Sequence, residues 1–222
     1  MNTRVKICCI QDIQEAKIAI SFGASAIGLV AEMPSGPGPI PDELIRQIAA
    51  ATPPPVASFL LTSRTTVREI TEHHHRTHTN TIQIVDALSV GTYEELKEAL
   101  PGIKIVQVIH VIDDRSVDEA INVSDAVDAI LLDSGNPNLK VKELGGTGRV
   151  HNWILSRKIR EQVSCPVFLA GGLKPENVRE AIETVNPFAV DVCSGVRTNG
   201  ILDPVKLHNF FHEAGKANCF SH

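Results

Sequence analysis

Short apolar runs rich in β-branched residues recur along the chain, and each is followed by a stretch with helical spacing. The runs open near Arg4 (V-K-I-C-C-I), Ser25 (A-I-G-L-V), Pro55 (V-A-S-F-L-L), Thr81 (I-Q-I-V), Ile103 (K-I-V-Q-V-I), Val127 (D-A-I-L-L), Pro166 (V-F-L-A) and Phe188 (A-V-D-V). Runs this short, apolar on both faces and bounded by turn residues, read as strands of a parallel sheet. Helices are predicted over residues 12–22, 41–51, 65–74, 92–100, 116–122, 151–163, 175–184 and 204–213. Asp12 is placed to cap the first and Pro41 to begin the second. Strict alternation repeated eight times, with right-handed crossovers, predicts an α/β fold: one (β/α)8 TIM barrel of the phosphate-binding type, residues 1–222 as a single domain. An open doubly wound sheet is the rival topology. The Pro/Gly-rich stretch 33–41 reads as a long loop after the second strand.

In such barrels the chemistry sits where the strands end at their C-terminal side. The sixth run ends in a carboxylate, Asp133, and leads to a loop closing on Gly145, Gly146, Thr147 and Gly148. Glycines there let backbone N–H groups turn toward one anion, with a helix starting just beyond. The seventh and eighth runs also finish in small residues, Gly171-Gly172 and Ser194-Gly195. Three neighbouring loops of this kind predict one phosphate site beside an acid.

Composition adds exclusions. Hydrophobic residues make up 43% and charged residues 21% of the 222, as in ordinary globular proteins. No apolar run approaches the roughly 20 residues that cross a bilayer, so no membrane partner is expected. A net charge of −5 gives no reason to expect nucleic acid. The N-terminus enters a strand directly, without a signal-type apolar segment, and the expected location is cytoplasmic. The five cysteines (Cys8, Cys9, Cys165, Cys193, Cys219) are odd in number and form no C-x-x-C pair. Reduced thiols, with neither a disulfide framework nor structural zinc, are the expectation. Neither cofactor nor metal is expected. The His-rich stretch 72–78 reads as the solvated end of a helix rather than a metal site.

Six motifs stand in order along the chain: V-K-I-C at 5–8, G-A-S-A-I-G at 23–28, I-L-L-D at 130–133, G-G-T-G at 145–148 followed by Trp153, L-A-G-G-L-x-P-E-N-V at 169–178 and V-D-V-C-S-G-V at 190–196. Together they resemble the phosphoribosylanthranilate isomerase family of tryptophan biosynthesis. The resemblance implies a cofactor-independent isomerase that carries out an Amadori rearrangement of N-(5-phosphoribosyl)anthranilate to the 1-deoxyribulose 5-phosphate product. It implies Cys8 as general base and Asp133 as general acid, with phosphate held around Gly146, Thr147, Gly148, Gly171, Gly172, Ser194 and Gly195. A thiol serving as base needs its pKa brought down from about 8.5, a role for nearby cations, and an acidic carboxyl needs the opposite shift. Lys6 shares a strand side with Cys8 by period-two alternation and is placed to pair with Asp191; Gln83 and Arg197 are further candidates for support. The partner is then a small phosphorylated sugar, and the protein a monomer or homodimer.

The departures bear on the substrate. Cys9 stands where the family has glycine. The loop P-S-G-P-G-P lacks the arginine of the family's S-P-R, a carboxylate clamp worth roughly 1.5–3 kcal/mol. The family's Q-L-H-G is Q-I-V-D here, which puts Asp86 at the rim, and S-G-V-E is S-G-V-R, which puts Arg197 toward the phosphate end. Arg64, Arg115 and Arg149 are the candidates to replace the missing clamp. The departures leave two alternatives: an isomerase-like barrel for a different phosphosugar, or a non-catalytic phosphosugar-binding barrel.

Overall fold

The computed structural model describes residues 3–136, 139, 142–144 and 148–217. Eight strands alternate with eight helices: β1 (Arg4–Ile7), α1 (Ile13–Ser21), β2 (Ala26–Val30), α2 (Asp42–Ala51), β3 (Ala57–Thr62), α3 (Val67–Thr77), β4 (Thr81–Ile84), α4 (Tyr93–Ala99), β5 (Lys104–His110), α5 (Arg115–Ser124), β6 (Ala129–Asp133), α6 (Trp153–Gln162), β7 (Val167–Leu169), α7 (Val178–Val185), β8 (Ala189–Val192) and, after a small hairpin, α8 (Pro204–Ala217). The strands form a closed barrel in sequence order, and β8 pairs back onto β1 in parallel register, with Lys6 opposite Asp191.

Period-two alternation sorts the strand residues into two cores. Val5, Ile7, Ile27, Leu29, Leu60, Ile82, Ile84, Ile109, Ile130 and Leu132 face the helix ring and are fully or nearly buried. Ala26, Val30, Phe59, Leu61, Val106, Val108, Leu131, Phe168 and Ala189 fill the barrel interior. Each large aliphatic side chain so buried contributes roughly 1.5–3 kcal/mol of transfer free energy, so the double core is the main stabilising element.

Local chemistry fixes where helices begin. The Asp12 carboxylate accepts the Glu15 N–H at 2.7 Å and caps α1, and Thr92 with Glu95 forms a reciprocal capping box at α4. The helix ends shift from the sequence reading by a few residues; α7 starts at Val178 instead of residue 175. One element lies outside the predicted pattern, the hairpin of β9 (Arg197–Thr198) and β10 (Ile201–Leu202). Its signal was present as Asn199-Gly200, a pair suited to two consecutive positive φ angles, here 53° and 81°.

The His-rich end of α3 differs from the solvated end expected. His73 is buried between Thr62 Oγ1 (2.9 Å) and Asp42 Oδ1 (3.0 Å), and His74 Nε2 meets Thr79 O at 2.7 Å. Both rings are structural polar ties. Among the described residues no group of three or more His, Cys, Asp or Glu is placed to hold a metal.

Candidate active site

One cavity opens at the C-terminal ends of the strands, and Cys8, Cys9, Met33, Leu61, Gln83, Val85, Asp133, Leu144, Gly148, Gly171, Gly172, Asp191 and Ser194 all line it. Cys8 follows β1, and its N–H donates to Val192 O of β8 at 2.8 Å. Room for its thiol comes from across the β1–β2 pairing: a Cβ on Gly28 would lie 2.6 Å from Cys8 Sγ. Asp133 ends β6, and its Oδ1 accepts the Ser134 N–H at 2.7 Å. Alternation therefore delivers a thiol and a carboxyl from distant strands to one space. Gln83 Oε1 and Asp191 Oδ1, on two other lining residues, have no hydrogen-bond partner among the described residues.

Lys6 is fully buried inside the barrel and its Nζ lies 2.9 Å from Asp191 Oδ2. Burial alone would lower its pKa, but the Asp191 carboxylate and the Cys8 sulfur outweigh that and hold the ammonium charged. Lys6 in turn draws Cys8 toward the thiolate. Burial is the stronger influence, however, and the Cys8 thiol is pushed up to about 11. The expectation that nearby cations would bring the thiol down is therefore corrected: one ammonium does not offset removal from water. Burial also raises Asp133 above the usual carboxylate range, opposed by the Ser134 N–H, His110 and Lys6.

The glycine-rich end is present in part. Gly148, Gly171, Gly172 and Ser194 line the cavity, with φ of +68°, +81° and +62° at the three glycines. Gly195 does not line it; a Cβ there would lie 1.9 Å from Leu173 O, so this glycine permits the β7 and β8 loops to touch. Gly146 and Thr147 lie outside the described residues.

Arg197 is also placed differently from the sequence reading. Instead of facing the phosphate end it is buried behind the β1 turn, where its guanidinium forks onto Glu15 (Nη1–Oε1 2.8 Å, Nη2–Oε2 2.9 Å). Its Nη2 also donates to Cys9 O at 2.5 Å. The physical reason is the hairpin: Arg197 starts β9 and points back across the barrel seam.

Cys9 adopts φ 61°, a left-handed conformation that costs a residue with a Cβ about 1–2 kcal/mol. It is disulfide-bonded to Cys193, with Cα atoms 5.8 Å apart, which overturns the expectation of reduced thiols throughout. A separation of 184 residues hides this pairing in the sequence; closure of β8 onto β1 creates it. Cys8 and Cys165 are free thiols.

At the rim, Asp86 is paired with Lys142, and Ser35 Oγ donates to Lys142 O at 2.6 Å. The three arginines considered as a clamp are each engaged with acids: Arg64 with Glu32 at 3.7 Å, Arg115 with Asp113, and Arg149 with Glu143. Lys142 escaped the sequence reading because nothing in its spacing marks it; only the fold sets it beside Asp86.

Residues 5–213 match the family described as N-(5'phosphoribosyl)anthranilate (PRA) isomerase. The chain belongs to this family. N-(5'-phosphoribosyl)anthranilate isomerase 2 of Methanosarcina mazei is 38% identical over 213 residues, covering 95% of this chain and 93% of that protein. The isomerase of Methanothrix thermoacetophila is 37% identical over 211 residues, covering 94% and 96%. Among solved structures, the Thermotoga maritima phosphoribosyl anthranilate isomerase superposes with a TM-score of 0.78 at 30% identity, covering 96% of this chain and 98% of that one. Another phosphoribosyl anthranilate isomerase, solved with reduced 1-(o-carboxyphenylamino)-1-deoxyribulose 5-phosphate, matches with a TM-score of 0.75 at 28% identity and the same coverage. Membership of the phosphoribosylanthranilate isomerase family makes this chain an isomerase, and these relatives favour neither the different-phosphosugar reading nor the non-catalytic one. Among the described residues no helix is long and apolar enough to cross a membrane.

Proposed function

We propose that this protein converts N-(5-phosphoribosyl)anthranilate to 1-(o-carboxyphenylamino)-1-deoxyribulose 5-phosphate, with Asp133 as general acid and Cys8 as general base. One observation carries the assignment of roles: Cys8 and Asp133 line a single cavity together with Gly148, Gly171, Gly172 and Ser194. The main-chain N–H groups of those small residues bind the phosphate, as turn and helix-start amides do. The apolar wall of Met33, Leu61, Val85 and Leu144 receives the aromatic ring. No nucleic acid or membrane takes part, and the protein works as a monomer or homodimer.

Asp133 gives its proton to the furanose ring oxygen. The C1–O bond breaks and the nitrogen lone pair forms an iminium. Cys8 then removes the proton on C2, the electron pair flows to the iminium, and the resulting enolamine tautomerises to the ketone. Burial suits Asp133 to its task, because a raised pKa keeps a proton available. It opposes Cys8, whose thiol is neutral at rest. The iminium resolves this conflict: its positive charge, added to that of Lys6, lets the thiol release its own proton to solvent through the open cavity before the resulting thiolate takes the C2 proton. Each proton transfer accounts for on the order of 10²–10⁴-fold in rate.

The test is loss of anthranilate-type fluorescence on adding the protein to freshly formed substrate. Cys8→Ala and Asp133→Asn are each expected to lower turnover at least about 100-fold. Absence of turnover by the intact protein rejects the proposal.

A further inference from the structure

The turn that follows β1 has to do two things at once. It must leave the Cys8 thiol in the cavity, and it must reverse the chain into α1 through Cys9, at φ 61°. A residue bearing a Cβ does not hold that conformation unaided, so the turn needs restraint from outside itself.

The restraint comes from one guanidinium. Arg197 donates to Cys9 O at 2.5 Å and reaches Cys8 O at 3.4 Å, while the same group forks onto both oxygens of Glu15. Glu15 returns to the turn by accepting the Gln11 N–H at 3.1 Å, and Nη1 of Arg197 also donates to Gly200 O at 3.0 Å. Arg197 and Glu15 are each 8% exposed. A buried ion pair is commonly no more stabilising than apolar residues of the same volume. What this one supplies is direction: donors and acceptors aimed at residues 8, 9 and 11.

The segment bearing Arg197 has two more holds on the site. Cys193 is covalently joined to Cys9, and Ser194 lines the cavity at its glycine-rich end. Within the segment 193–197, Cys193 and Ser194 thus line the cavity while Cys193 and Arg197 hold the turn that presents the thiol.

We infer that Arg197, locked by Glu15, is a positioning residue that aims Cys8 at the reacting carbon. The inference rests on the proposed role of Cys8 as base. Loss of the clamp lets the turn relax and moves the sulfur out of line with C2–H, and misplacement of about 1 Å costs on the order of 100-fold in rate. Substrate contacts are untouched, so the loss falls on kcat.

Two variants test it. Arg197→Lys keeps a cation beside Glu15 but cannot fork onto the carboxylate and the Cys9 carbonyl together. The double variant Arg197→Met with Glu15→Met removes both charges, so neither is left buried without a partner. Both are to be measured beside the intact protein and Cys8→Ala, with thermal unfolding as a check on folding. The expected result is a folded protein whose kcat falls at least about 10-fold while KM stays within about threefold. Arg197→Lys is expected to be the milder of the two. A kcat within twofold of the intact protein in either folded variant overturns the inference, as does a loss expressed in KM alone. If Arg197→Lys does not fold, the double variant decides. Inactivity of the intact protein, or full activity of Cys8→Ala, instead rejects the underlying reading of the site.

Discussion

Lys6 Nζ stands 2.9 Å from Asp191 Oδ2 across the seam where β1 meets β8, two residues before Cys8 on the same inward face. Lys6→Met strands a buried carboxylate, and removing one partner of such a pair costs roughly 3–5 kcal/mol. It also removes the charge that draws on the Cys8 sulfur, so the thiol, already near 11, rises further. The pH dependence of Cys8 alkylation by iodoacetamide, located by mass spectrometry, measures the second effect. An unchanged or lowered alkylation pKa contradicts the electrostatic account.

Gly28 is a test of space. A methyl group there would sit 2.6 Å from Cys8 Sγ, 3.1 Å from Cys8 Cα and 3.2 Å from Lys6 Nζ. Gly28→Ala is therefore expected to displace the thiol and lower kcat by about 10–100-fold, with an overpacking cost of roughly 1–3 kcal/mol seen in chemical denaturation. Wild-type kcat in this variant would show that the sulfur has room the geometry denies it.

The Lys142–Asp86 pair governs charge at the rim. With Lys142→Met, the Asp86 carboxylate faces an incoming anthranilate carboxylate without its counter-ion. KM for the natural substrate is expected to rise about 10-fold, equivalent to about 1.4 kcal/mol, while an aniline analogue lacking the carboxylate is little affected. Adding Asp86→Asn to Lys142→Met should recover most of the loss. Equal effects on both substrates would remove charge from the explanation.

His151 carries a stability prediction. Burial depresses its pKa to about 4, below the roughly 6.5 of an unfolded histidine. The folded protein thus favours the neutral ring. Its contribution is fully present above pH 6.5 and is lost as pH falls toward 4. The change amounts to about 3 kcal/mol across that window, at about 1.4 kcal/mol per pH unit. Urea titrations at pH 7 and pH 4.5 measure it; His151→Asn should flatten the dependence, and an equally steep loss in that variant would place the titrating group elsewhere.

Much of the frame was legible because alternation and capping act locally. All eight strands sit where the apolar runs open, and side-chain alternation on the first strand points Lys6 inward, where it meets Asp191. What the chain concealed arises from closure. The Cys9–Cys193 bond, the Arg197–Glu15 fork and the Lys142–Asp86 pair each join residues far apart in sequence, and no period or spacing marks them. The direction of the Cys8 shift is concealed for a related reason. Neighbouring charge can be read from residue types, but the depth of burial that outweighs it comes only with the assembled barrel.

The bond between Cys9 and Cys193 gives the unfolded polypeptide the topology of a ring, with β2 to β8 and α1 to α7 inside it and β1, the hairpin and α8 outside. A ring explores fewer shapes than an open strand, which favours the native form by roughly 2–5 kcal/mol in non-reducing solvent. The barrel's first and last staves are therefore riveted together, and unfolding that begins elsewhere still leaves β1 and β8 in each other's company.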